Sequence, residues 1–166
     1  MAEHCIRGGF KRFIGARVEY PQVTVRLYLN DEFIGTIDFL VDTGASTTFI
    51  AYKDLLVLRI INKLRGKRKV DVIGLGGVEK AVVLRGPIRL ELLDTPRVPG
   101  EARRPITIEL DSIRCEDPDS ARKIMRLHGH KALMARPSVL GWDVLNSLKL
   151  IINYKERIIE LCKDEP

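Results

Sequence analysis

Phe39-Leu40-Val41-Asp42-Thr43-Gly44-Ala45-Ser46 is the stretch on which the reading of the chain turns. An apolar run ends abruptly in a carboxylate, a small hydroxyl residue and a glycine. The run has the pattern of a buried strand, and Gly44 lets the backbone turn sharply just past its end. A carboxylate delivered from a buried strand into such a turn is costly unless it is hydrogen-bonded or put to use. Asp42 is therefore the first candidate for a functional group.

The rest of the chain supplies the setting. Its 166 residues, 45% hydrophobic and 30% charged, predict a soluble globular protein able to bury a core without disulfides or metal. No apolar stretch approaches the roughly 20 residues of a bilayer span. The start of the chain is basic and glycine-containing (Arg7, Gly8, Gly9, Lys11, Arg12) and lacks the apolar core of a signal peptide. A cytoplasmic protein without a membrane partner is the expectation. Cys5, Cys115 and Cys162 are far apart and odd in number, which argues against a disulfide framework. One Gln and four Asn among many Lys, Arg and Glu are compatible with a thermophilic source.

A net charge of +6 raises the question of nucleic acid. The densest basic stretch holds Lys63, Arg65, Lys67, Arg68 and Lys69. It has no interleaved aromatics, no zinc-ligand spacing and no nucleic-acid motif, so it reads as a solvated loop and no specific nucleic-acid partner is expected.

Outward from the opening stretch, Gln22 to Leu29 alternates like a strand with one wet face, and Phe33 to Val41 returns as a second strand. Gly35 marks a bulge or a close backbone approach. The apolar spacing from Ala51 to Leu64 fits a helix better than a strand. Val70 to Leu84 reads as a hairpin with a glycine-rich tip, Gly74-Leu75-Gly76-Gly77, and Leu75 there is apolar where solvent is expected. The glycines do not form a phosphate-binding fingerprint at a strand–helix junction. Ile88 to Leu92 and Ile106 to Leu110 are further strands. Asp117-Pro118 opens a helix through about His128, capped by Gly129. Val139-Leu140-Gly141 is a short apolar strand passing directly into a helix, and the end of the chain forms an apolar hairpin about Lys155-Glu156.

Three segments thus stand in one order: Val41-Asp42-Thr43-Gly44-Ala45-Ser46, then Ile73-Gly74-Leu75-Gly76-Gly77, then Val139-Leu140-Gly141 followed by a helix. That order resembles the retropepsin-like aspartic proteases over roughly residues 20 to 161, with the terminal hairpin closer to cellular than to viral members. The resemblance implies a mainly β, single-lobe closed barrel carrying a glycine-rich flap and a few short helices. Residues 1–19 form an N-terminal extension and 20–166 the protease domain, with an added helical segment at about 113–136. It further implies a homodimer in which two Asp-Thr-Gly loops meet. Asp42 becomes the catalytic carboxylate, Thr43 the hydroxyl gripping the opposite loop, and Gly44 a contact to substrate backbone. Ala45, Ser46, Gly74, Leu75, Gly76 and Gly77 become substrate contacts, within a flap spanning 72–80. The partners are a peptide or protein substrate and a second copy, and neither cofactor nor metal is called for. Val139-Leu140-Gly141 corresponds to the strand crossing beneath the active loop.

Two positions depart from the viral pattern. An acidic residue and an arginine that pair there are replaced by Ser46 and Trp142, so a dimer needs another means of closure. The rival reading is a catalytically silent, protease-like module that binds extended peptides or a protein partner. Asp143 reads as a helix-capping carboxylate. His128 and His130 with Cys115 fit no standard metal-ligand set. Trp142 reads as a core or interface residue. Asp38 shares a strand face with Asp42 but reads as a surface position.

Overall fold

A computed structural model describes residues 2–74 and 77–165. The chain is mainly β. Its strands are β1 (Glu3–Arg7), β2 (Gly9–Lys11), β3 (Tyr20–Leu29), β4 (Glu32–Val41), β5 (Phe49–Ile50), β6 (Lys69–Gly74), β7 (Gly77–Leu93), β8 (Ile106–Glu116), β9 (Ser138–Leu140), β10 (Lys149–Asn153) and β11 (Ile158–Asp164). The helices are α1 (Tyr52–Val57), α2 (Pro118–His128), α3 (His130–Met134) and α4 (Trp142–Leu145).

The larger sheet runs β2-β3-β4-β9-β5-β8-β7-β6, and β3 also pairs with β7. That second pairing closes β3, β4, β9, β5, β8 and β7 into a ring, the single-lobe barrel that the sequence resemblance implies. Alternation explains what fills it. Val23, Val25, Leu27 and Leu29 of β3 point inward with Ile37, Phe39 and Val41 of β4, and they meet Ile88, Leu90 and Leu92 of β7. Shifting any of these strands by one residue turns its apolar set to solvent, which is what fixes the register.

Ala81–Leu84 and Ile88–Leu92, read in the sequence as separate strands, are one strand of 17 residues. The register against β8 shifts between Arg85 and Ile88, around Gly86-Pro87. Gly86 has φ of +137°, and Pro87 has no N–H to give a ladder, so the pair forms a bulge that bends the strand without ending it. Gly35 combines both roles foreseen for it. Ile34 is left unpaired where the β3–β4 register shifts, and a Cβ on Gly35 would lie 2.6 Å from Leu58 Cδ2.

The helix expected over 51–64 divides into α1 and a 3₁₀ turn at Ile61–Leu64. Arg59 adopts φ of +57°, Arg59 N donates to Leu56 O and Ile60 N to Leu55 O, a left-handed C-terminal cap built on arginine where glycine is usual. The helix from Asp117 ends as foreseen. The Asp117 carboxylate accepts the Ser120 N–H, Pro118 occupies the first turn, and Gly129 follows at φ of +85°. Of the segment 113–136, residues 113–116 belong to β8, and α2 and α3 make up most of the remainder.

The stretch 1–19 carries β1 and β2, which pair with β11 and β3 respectively. β1, β11 and β10 form a second, three-stranded sheet that gathers both ends of the chain. Here the expectation against disulfides is corrected. The β1–β11 register sets Cys5 opposite Cys162, and the two are bonded with Cα atoms 4.0 Å apart. A separation of 157 residues looked prohibitive in sequence, but antiparallel pairing of the termini removes it. On a chain-entropy model, closing so long a loop stabilises the fold by about 5 kcal/mol. Cys115 is the remaining thiol, buried in β8, where burial pushes its pKa up to about 12 and makes it unreactive.

Candidate active site

β4 carries the chain to Val41 along the barrel wall, and Asp42 begins the turn. Asp42 N donates to Leu140 O at 3.2 Å, fastening the entry of the turn to β9. The carboxylate folds back on its own loop, with Oδ1 accepting Gly44 N–H at 2.9 Å, and Ala45 N donates to Asp42 O at 3.2 Å. Asp42 is half-buried, while Thr43, Gly44 and Ser46 are exposed and Ala45 is partly so. The loop therefore presents a carboxylate, a hydroxyl and a bare stretch of backbone outward from a fixed base.

That base is the crossing of β9 beneath the loop. β9 lies parallel to β4, pairing Leu40 with Val139 and Val41 with Leu140, and it pairs antiparallel to β5 through Phe49 and Val139. Gly141, at the end of β9, passes so close to the returning loop that a Cβ would stand 2.5 Å from Thr47 C and 2.9 Å from Thr47 N. Only glycine fits there. The next residue, Trp142, donates its N–H to Ala45 O at 2.8 Å.

Two polar side chains lock the crossing. Thr48 is fully buried; its N–H and Oγ1–H both donate to Asp143 Oδ1, at 2.8 and 2.7 Å. Thr48 Oγ1 in turn accepts Gly141 N–H at 3.1 Å, and Asp143 Oδ1 also accepts Val144 N–H at 3.0 Å. Asp143 is thus a brace between α4 and the loop; the helix has Gly141 at its N-cap and no side-chain cap. Sequence reasoning missed this role. The available signal was a buried threonine in the loop and a carboxylate just after the crossing strand, two partners that only the fold brings together.

The remaining predicted residues lie on the hairpin of β6 and β7. Its last pairs are Val72 with Glu79, Ile73 with Val78, and Gly74 with Gly77. Leu75 and Gly76, expected at the flap tip, lie outside the described residues. Ile73 and Val78, apolar side chains on this arm, are largely exposed among the described residues. Asp38 stands apart from the loop: Lys11 Nζ donates to it at 2.5 Å and Thr24 Oγ1 at 2.6 Å. Trp142, read as core or interface, is 61% exposed beside the loop.

No protein-family model matches the sequence, and no curated relative does either. Among solved structures, the chain is similar to a retropepsin-like aspartic protease from Rickettsia conorii, at 18% identity and a TM-score of 0.48, over 98% of this chain and 93% of that one. It is also similar to the retroviral protease-like domain of Ddi1 from Leishmania major, at 12% identity and a TM-score of 0.35, over 87% and 94%. These are likenesses of general chain course, and the functional reading rests on the loop itself. The ring of strands and the crossing of β9 under the loop are the architecture that the sequence resemblance implies.

Proposed function

We propose that the chain is a homodimeric aspartic endopeptidase whose site is assembled from two copies of the Asp42 loop. The observation that carries this reading is the half-built character of the loop. One carboxylate, with Thr43 and Gly44 exposed beside it, is held by a rigid crossing and faces outward. Hydrolysis of a peptide bond without metal or covalent intermediate needs a base to activate water and an acid to protonate the carbonyl oxygen. One carboxylate cannot serve as both at once. Two held close cannot both ionise easily, so they share a proton and divide the roles.

In the dimer, Asp42 and its copy flank the attacking water, and each Thr43 hydroxyl grips the opposite loop. Gly44, Ala45 and Ser46 border an extended substrate, and the hairpin 72–80 covers it and adds backbone hydrogen bonds. Trp142, standing where viral members carry an arginine, supplies apolar contact area beside the loop in place of an ion pair.

The test is Asp42→Asn. The variant is expected to fold and dimerise like the unmodified protein and to lose hydrolysis of unstructured peptides by at least about a thousandfold. Retained cleavage would sink the proposal. The single carboxylate per chain also favours a specific rival, a silent module that binds extended peptides as a monomer. Peptide binding without cleavage, by a species that sediments as one chain, decides for that rival.

A further inference from the structure

The proposed flap is tied to the body of the protein by a side chain that the proposed chemistry does not use. Arg136 lies between α3 and β9. Its Nη1 donates to Glu116 Oε1 at 2.5 Å, and its Nη2 donates to Glu79 Oε2. Glu79 sits on β7 opposite Val72, two pairs short of the last hairpin pair. Glu116 ends β8 and is 1% exposed, and its Oε2 accepts the Tyr52 N–H at 2.7 Å. Tyr52 opens α1 directly after Ala51 and β5, the strand that leaves the Asp42 loop. One guanidinium thus joins the flap arm to a carboxylate that is itself bonded to the exit of the loop.

The chemistry suits a tether that holds direction without locking. A buried carboxylate needs partners, and Glu116 has them on both oxygens: burial pushes its pKa up, while the Tyr52 N–H and Arg136 pull it the other way. That half of the bridge is buried and hydrogen-bonded on both carboxylate oxygens. Glu79 is partly exposed, so its half is weak and can release. The planar fork of arginine is what lets one side chain serve two carboxylates at once. The neighbouring pair Lys80–Asp71 joins the two arms of the hairpin to each other and gives no anchor.

We propose that Arg136 is a positioning residue for peptide hydrolysis: through Glu79 it anchors the flap arm and sets the pose of the hairpin over the Asp42 loop. This rests on the endopeptidase reading. Two variants test it, Glu79→Gln and Arg136→Lys. Arg136→Lys leaves a cation on the buried Glu116, so the fold is retained, but a single ammonium loses the fork that spans both carboxylates.

Amide hydrogen exchange over residues 69–83 is expected to quicken roughly three- to fivefold in either variant, and no further when the two are combined. Exchange in β3 and β4 is expected to stay unchanged. In peptide hydrolysis KM rises by a similar factor while kcat moves less, a split that a merely structural role does not produce. Unchanged flap exchange in both variants overturns the anchor whatever the activity. Faster exchange with unchanged KM overturns the positioning role. If the unmodified protein cleaves nothing, the endopeptidase reading fails, and exchange still decides the anchor.

Discussion

The Asp42 loop and the hairpin of β6 and β7 are held by opposite kinds of force. The loop is fixed by contacts that tolerate almost no displacement: Gly141 against the Thr47 backbone, the buried Thr48 on Asp143, and Asp42 N on Leu140 O. Beyond its own ladder and that of β7 to β8, the hairpin is tied down by ion pairs: Lys69 with Asp117 and Asp119 at its base, and Arg136 with Glu79 on its arm. Close packing falls off over tenths of an ångström, whereas partly exposed ion pairs contribute about 1 kcal/mol or less and re-form readily. On the endopeptidase reading, that division sets immobile chemistry beneath a movable cover. The loop has steric and buried contacts, and the hairpin has more exposed charge.

Gly141→Ala breaks the comparison most severely. A methyl group 2.5 Å from a backbone carbon forces β9 and the loop apart, so a loss of about 3 kcal/mol is expected, or a fall of roughly 10 °C in unfolding midpoint. Gly77→Ala is the counterpart on the hairpin. Gly77 has φ of +109° but nothing among the described residues within 4 Å of an added Cβ, so only backbone strain of about 1 kcal/mol is expected. Thermal unfolding of the two variants measures the contrast, and equal costs would show that the crossing is not the tighter element.

Asp143→Ala comes next. It leaves a buried hydroxyl and the Thr48 N–H without their acceptor, at about 2 kcal/mol. Asp143→Asn keeps an acceptor oxygen in place and is expected to cost less than half as much by chemical denaturation. If the two substitutions cost the same, the carboxylate is acting through its charge and the brace has been misread.

What the sequence disclosed follows from the same division. Apolar alternation around the ring and the run Val41-Asp42-Thr43-Gly44 are local patterns, and they were legible because backbone geometry and side-chain period act over a few residues. Asp117-Pro118 and Gly129 were legible for the same reason. The rest depends on partners far apart in the chain. Thr48 and Asp143 are 95 residues apart, and Arg136 and Glu79 are 57 apart. Cys5 and Cys162 are 157 apart, and their pairing runs against the count and spacing that normally announce a disulfide. Gly86-Pro87 misled in another way. Both residues end strands in most contexts, and only the ladder to β8 on both sides carries β7 through them.

The smallest effect is expected at the base of the hairpin, and it is read by pH. Burial opposes ionisation of Asp117, but hydrogen bonds from Lys69 and Ser120 outweigh it and hold the carboxyl below its ordinary 3.8. A carboxyl depressed in the folded state contributes stability above its unfolded pKa and loses it as the pH falls through the lower folded value. The tie of β6 to α2 is therefore intact above the ordinary 3.8 and is lost only as the pH falls through the lower folded value. Asp119, the second partner of Lys69, is largely exposed and cannot replace it. Amide exchange in β6 is expected to accelerate only once the pH has fallen below the ordinary 3.8, after correction for the intrinsic rate. The Thr48 amide, held by Asp143 in the buried crossing, is expected to lag behind it. Lys69→Gln is expected to bring the β6 rates near pH 6 to their acid values and flatten the step. If β6 and Thr48 loosen together, the hairpin is not separately tethered, and the contrast between packed loop and ion-paired hairpin fails at its weakest point.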